Sequence, residues 1–122
     1  MDVQPKVLIV ERDQLVRQLL VRVVQRAVPH ADVVETTTVT EALHFNTQTR
    51  FNIVLTADQL VDAAGTRIIQ TLQQQTPAIP VVVLVSVPGA EHLAHAAGAT
   101  AVFSRPFDIQ GLLVTLQRIL SS

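Results

Sequence analysis

The sequence has 122 residues, of which 48% are hydrophobic and 16% charged, so it can fold as a single globular domain with its own core. Its formal net charge of −1 and the lack of any basic cluster argue against a nucleic-acid surface, and the absence of cysteine excludes disulfides and cysteine-ligated zinc. The start lacks a signal-peptide pattern, and the longest apolar run, 81–85, is too short to cross a bilayer. We therefore expect a soluble, cytoplasmic protein.

Short β-branched runs alternate with longer segments of helical periodicity along the whole chain. The predicted strands are 6–10, 32–36, 52–56, 81–85 and 100–103. The run 32–36 is the weakest and is expected at an edge of the sheet. Strands that alternate with helices predict a parallel sheet covered by helices on both faces.

The helices between these strands have recognisable ends. A wide apolar stripe that includes Leu15 and Leu19 predicts the first helix, and the second is expected from about Thr40 to Thr49. The stretch 57–65 is interpreted as a loop before the third helix. A short alanine-rich helix is predicted at about 90–97, and a last helix follows residue 108. The expected capping residues are Asp13, Thr40, Gly98 and Asp108.

Ligands of such sheets bind beyond the carboxyl ends of the strands. The residues that directly follow the predicted strands are therefore the candidates for chemistry. They are Glu11, Arg12, Asp13, Ala57, Asp58, Ser86 and Arg105.

Four stretches in order, 7–13, 52–65, 80–86 and 98–107, resemble the receiver domains of bacterial response regulators. The resemblance covers essentially the whole chain. It implies an α/β fold with a five-stranded parallel sheet in the order 2-1-3-4-5, flanked by five helices (flavodoxin-like, CheY-like). Residues 1–122 would form one receiver-like domain. The resemblance also makes the Arg105–Pro106 bond a candidate cis peptide.

Receivers transfer a phosphoryl group to an aspartate after the third strand. Acidic residues after the first strand hold Mg²⁺, and a Thr or Ser and a Lys after the fourth and fifth strands hold the phosphoryl oxygens. The resemblance implies that these positions fall on Glu11 and Arg12, Ala57, Val85 and Arg105. Alanine has no nucleophile, so an acyl phosphate cannot form at position 57.

Two of these assignments leave alternatives open. A shift of one residue would make Asp58 the phosphoacceptor and Ser86 the hydroxyl, although the spacing to Asn52 and Gly65 favours Ala57. Arg12 either enters the pocket, where it would replace the metal and pair with Glu11 or Asp58, or lies in solvent over the first helix.

Two other polar patterns have simpler interpretations. His92 and His95, with Glu91 beside them, have helical spacing that could serve a metal, but no third ligand is near and a solvated face is favoured. Asp58 and Asp62 are interpreted as solvated residues of a polar loop.

Together these features predict a pseudo-receiver signalling module of the two-component type that binds a protein partner or its own copy. It would not be an enzyme and would need no cofactor, since the loss of one acidic residue counts against Mg²⁺. The resemblance implies that the contact surface comprises 91–97, 100–103 and 110–118, with no role for nucleic acid or membrane. The alternatives are a receiver phosphorylated on Asp58 with Mg²⁺, and a regulatory domain that senses a small anion through Arg12 and Arg105.

Overall fold

The computed structural model describes residues 4–75 and 77–121, in which strands and helices alternate strictly. The strands are β1 (Lys6–Val10), β2 (Asp32–Thr36), β3 (Ile53–Ala57), β4 (Val81–Val85) and β5 (Ala101–Ser104). The helices are α1 (Gln14–Ala27), α2 (Val39–Gln48), α3 (Thr66–Gln73), α4 (Glu91–Ala97) and α5 (Ile109–Leu120).

All five strands pair in parallel in the order β2-β1-β3-β4-β5, which confirms the predicted fold and the edge position of β2. The register places Leu55 of β3 beside Ile9 on one side and Val82 on the other. Every residue of β3 and β4 is buried. Apart from Thr56, their residues are all apolar, which suits strands with helices on both faces.

The core has two layers, one on each face of the sheet. Phe51, Ile69 and Leu72 belong to the layer on the α2 and α3 side. Leu20 and Leu116 belong to the layer on the other side, where α1 packs against α5. Each such side chain, when fully buried, contributes about 1.5–3 kcal/mol of transfer free energy.

Most helix ends lie where the capping residues predict them. The Asp13 carboxylate accepts the N–H groups of Leu15 and Val16, and Asp108 accepts the N–H of Gly111 at 2.9 Å. Gly98 ends α4 with a left-handed backbone, φ 105°.

The predicted start of the second helix is wrong by two residues. The N-cap is Thr38 and not Thr40, because the Thr38 hydroxyl accepts the N–H of Glu41 at 3.1 Å. The Glu41 carboxylate accepts the N–H of Thr37 at 2.9 Å in return. This reciprocal arrangement resembles a capping box and satisfies two free backbone donors.

The apolar stripe predicted for α1, which also includes Leu20, Val23 and Val24, is buried only in part. Leu15 is 78% exposed and Leu19 is largely exposed, whereas Leu20, Val23 and Val24 are fully or almost fully buried. Apolar residues occupy more of this helix than one face, so the periodicity alone could not choose the face that meets the sheet.

Strands β3 and β5 each lie one residue later than expected at both ends, and α4 begins one residue later. β3 continues to Ala57, so the following loop begins at Asp58; β5 ends at Ser104; and α4 begins at Glu91. Strand ends depend on pairing with the neighbouring strand, and Ala57 pairs with Leu84. In the part of the chain that the structure describes, no helix is both long and apolar enough to cross a membrane.

Candidate functional site

A polar cavity of about 100 Å³ lies at the carboxyl edge of the sheet. Most of the residues that the sequence singled out meet there, although they come from the ends of four strands. Those that line the cavity are Glu11, Arg12, Asp13, Ala57, Asp58, Ser86 and Arg105.

Val85 does not belong to this cavity. Its side chain is almost completely buried and lies in the core layer on the α2 and α3 side. Ser86, the next residue, carries the hydroxyl that faces the cavity. The assignment of the hydroxyl position to Val85 therefore falls on a core residue, because side chains alternate between faces as β4 ends.

Ala57 is the last residue of β3 and is 6% exposed. The residue lines the cavity, while its methyl group belongs to the core layer on the α2 and α3 side and offers no nucleophile or metal ligand. Its carbonyl oxygen lies so close to Gly65 that a Cβ at position 65 would collide with it. The loop after β3 therefore passes in close contact with the end of the strand.

Asp58 is only 7% exposed, so the expectation that it is solvated is wrong. Its carbonyl accepts the N–H of Gly65 at 2.9 Å, and its own N–H donates to Leu84 at 3.0 Å. This backbone path turns the carboxylate towards the end of β4. There Oδ1 accepts the Ser86 hydroxyl at 3.0 Å and the Ser86 N–H at 3.2 Å. The other oxygen, Oδ2, is buried and has no hydrogen-bond partner among the described residues.

The carboxylates after β1 already accept hydrogen bonds from neighbouring backbone N–H groups. Glu11 is buried, and its Oε2 accepts the N–H of Asp13 at 3.0 Å. Asp13 in turn caps α1 through its Oδ1. Arg12 is exposed at the rim of the cavity, and within residues 4–75 and 77–121 it forms no ion pair with Glu11 or Asp58. The ion pair expected for an Arg12 that enters the pocket is therefore not formed, although the residue lines the cavity.

Arg105 forms the opposite wall of the cavity. Its guanidinium carbon lies 5.4 Å from the centroid of the Phe107 ring, a geometry in which a cation is attracted to the face of an aromatic ring. The intervening Arg105–Pro106 bond is cis, which confirms the expectation from the resemblance.

The cavity residues do not fit a magnesium ion. Mg²⁺ requires near-octahedral oxygen ligands at short range. Oδ1 of Asp58 and Oε2 of Glu11 already accept hydrogen bonds from the protein, and the positively charged residues Arg12 and Arg105 line the same cavity. Among the described residues, no group of three or more acidic or histidine side chains is arranged to hold a metal.

The histidine pattern on α4 does not form a cluster with Glu91. His92 and His95 are both exposed. The Glu91 carboxylate instead accepts the Ser104 hydroxyl at 2.7 Å, and this hydrogen bond lowers the pKa of Glu91 below its usual 4.5. Sequence reasoning missed this contact, because Ser104 and Glu91 come together only through the packing of α4 on β5.

Asp62 is exposed but is not simply solvated. Its Oδ1 accepts the N–H of Val39 at 3.0 Å, and its Oδ2 accepts the N–H and hydroxyl of Thr40 at 2.9 and 2.8 Å. The Thr40 N–H is the largest cause that lowers the pKa of Asp62 from 3.8 to about 2, followed by the Thr40 hydroxyl. The loop after β3 is thereby joined to the first turn of α2.

Replacing Asp62 with asparagine should make the stability of the protein less dependent on pH. The folded-state pKa lies below the unfolded one, so the contribution of Asp62 is present above about pH 4 and is lost as the pH falls towards about 2. We expect Asp62→Asn to lower Tm by a few degrees at pH 7 and to have little effect at pH 2.5. Thermal unfolding at both pH values measures this, with Asp32→Asn, at an exposed position, as the control. An equal loss at both pH values would contradict it.

Comparison with known proteins agrees with the arrangement of strands and helices. A putative response regulator from Chloroflexus aurantiacus J-10-fl superposes with a TM-score of 0.87 at 22% identity, over 98% of this chain and 100% of that chain. The chemotaxis response regulator CheY4 of Vibrio cholerae gives 0.81 at 26% identity, over 96% and 99% of the two chains. A signal receiver domain from Colwellia psychrerythraea 34H gives 0.87 at 18% identity, over 98% and 100%.

Sequence comparison identifies the family directly. A search of the curated proteins found no match. The family model of the response regulator receiver domain matches residues 7–117. This range includes every residue of the cavity and, apart from Lys6, all five strands. The chain therefore belongs to the family of response regulator receiver domains, the receivers of two-component systems.

Proposed function

We propose that this receiver signals without being phosphorylated and acts by binding a protein partner. The observation that carries the proposal is Ala57 at the end of β3, a cavity-lining residue at the position where the resemblance expects a phosphoacceptor. A side chain without an oxygen cannot attack phosphorus.

The state of Asp58 supports the same proposal. Phosphoryl transfer to a carboxylate needs an accessible oxygen in line with the leaving group, and a metal ion to reduce the repulsion between two anions. Oδ1 of Asp58 accepts two hydrogen bonds from Ser86, and Oδ2 has almost no surface open to solvent. Because the cavity does not fit Mg²⁺, this carboxylate lacks both conditions.

The proposed partner surface consists of α4, β5 and the exposed side of α5. On it Leu93 is 66% exposed, and Val114 and Ile109 are also exposed to a large extent. Apolar side chains surrounded by polar ones are typical of protein-binding surfaces. The small net charge of the chain favours neither nucleic acid nor an anionic membrane as the partner.

Incubation with acetyl phosphate and Mg²⁺, followed by intact-mass measurement, tests the absence of phosphorylation. We expect no gain of a phosphoryl group, while a receiver with an aspartate at the acceptor position gains one under the same conditions. Asp58→Asn is the matched variant, and like the wild type it should gain no phosphoryl group.

One observation favours a second candidate, a receiver that is phosphorylated on Asp58. Asp58 shares the cavity with the Ser86 hydroxyl and the Arg105 guanidinium, and its Oδ2 lacks a partner. A phosphoryl group that appears on the wild type and is lost in Asp58→Asn would establish this candidate and refute the proposal.

A further inference from the structure

Two side-chain hydrogen bonds fix the ends of the segment that joins β4 to α4, residues 86–90. At its start, the Ser86 hydroxyl donates to Oδ1 of Asp58 at 3.0 Å, which connects this segment to the end of β3. At its end, the Ser104 hydroxyl donates to Oε1 of Glu91 at 2.7 Å, which connects the first residue of α4 to the last residue of β5.

Residues 87–89 of this segment are exposed, and Ala90, at its end, is partly buried against the core. Val87 is exposed, and a Cβ placed on Gly89 would meet no atom within 4 Å. Gly89 itself has a positive φ of 85°. Segments with few buried contacts open at low free-energy cost, so the two side-chain contacts carry an unusually large share of the local stability.

The helix that follows is also weakly anchored. α4 has seven residues and no side-chain cap at its N-terminus, and a helix this short is marginal in isolation. Ala94 is its one fully buried residue, and an alanine side chain buries little apolar surface. At the other end of the helix Ala97 packs against the core and Gln73 donates to the Gly98 carbonyl, so the contact of Glu91 with Ser104 matters most for the N-terminal end of α4.

We infer that the contacts Asp58–Ser86 and Glu91–Ser104 form an intrinsic clamp, which holds α4 in one position on the sheet without a phosphoryl group. Glu91 and Ser104 are the positioning residues, because they act on the exposed surface through α4. The link from the clamp to partner binding rests on the proposed function, whereas the clamp itself is a property of the chain alone.

The ionised state of Glu91 is consistent with this role. Its pKa lies below the usual 4.5 because the Ser104 hydroxyl donates to the carboxylate. The contact is therefore a hydrogen bond to a charged acceptor at neutral pH, a class that is stronger than bonds between neutral groups.

Hydrogen exchange measured by mass spectrometry on peptides of 86–97 tests the clamp. We expect exchange in this segment to be roughly three- to tenfold faster in Ser104→Ala and in Ser86→Ala than in the wild type. Exchange in α1 should not change, because α1 lies on the other side of the sheet. Ser104→Thr, which keeps the hydroxyl, should restore slow exchange, and Ser121→Ala is the matched control at a distant exposed serine.

The outcomes separate the clamp from the proposed function. Wild-type exchange in both serine-to-alanine variants would overturn the clamp, and so would equal acceleration in every element of the fold. A wild-type protein that accepts a phosphoryl group, together with fast exchange in Ser104→Ala, would refute the proposed function and leave the clamp in place.

Discussion

Gly65→Ala is expected to destabilise the protein by about 3 kcal/mol or more. A Cβ at position 65 would collide with the carbonyl oxygen of Ala57 and lie 2.7 Å from the Thr56 hydroxyl. Neither atom is at the end of a flexible side chain, so the buried end of β3 would have to move. The backbone of Gly65 has ordinary α-helical angles, and the cause is therefore the close approach and not the conformational freedom of glycine.

Gly89→Ala is the matched control for this substitution. Position 89 has open space around it, and its positive φ should cost about 1–2 kcal/mol. Urea denaturation followed by circular dichroism measures both free energies of unfolding. If Gly65→Ala cost no more than Gly89→Ala, the loop would not pass as close to β3 as the structure places it.

Ala57→Asp combined with Arg12→Asp is expected to create a phosphoacceptor where the wild type has none. The double variant would place two new carboxylates beside Glu11 and remove one guanidinium from the rim of the cavity. The two new carboxylates add to the cavity the oxygen ligands that Mg²⁺ prefers. The new carboxylate at position 57 can then attack the phosphorus of acetyl phosphate, and acetate departs as the leaving group.

Intact-mass measurement should detect one phosphoryl group on most of the double variant and none on the wild type. Calorimetric titration with Mg²⁺ should detect saturable binding by the double variant alone. Ala57→Asp by itself should be labelled much less, because Arg12 still opposes the metal. Adding Asp58→Asn should leave the labelling unchanged. A double variant that binds Mg²⁺ but is never labelled would contradict the assignment of position 57 as the vacant acceptor site.

The residues at the site could be predicted as a group, and the reason is topological. Glu11, Ala57, Ser86 and Arg105 each lie at or directly after the end of a different strand, and parallel strands bring their carboxyl ends to one edge. Their side-chain partners could not be predicted. Asp58 and Ser86 are 28 residues apart, and their contact depends on how the loop leaves β3.

The interpretation of the loop carboxylates as solvated failed for the same reason. Asp62 accepts a hydrogen bond from Thr40 in the first turn of α2, although the two residues are 22 positions apart in the sequence. Nothing in the local pattern of Asp58 or Asp62 distinguishes a bonded carboxylate from a free one. Similarly, the periodicity of α1 could not show that Leu15 faces solvent.

The sequence by itself determined the alternation of strands and helices and the chemistry available at each strand end, including the absence of a nucleophile at Ala57. Both follow from local properties, namely side-chain type and apolar periodicity. Only the tertiary structure decided that Asp58 bonds to Ser86 and that Glu91 bonds to Ser104. Those contacts join segments distant in the chain, and their free energy exists only once the loops and α4 have packed on the sheet.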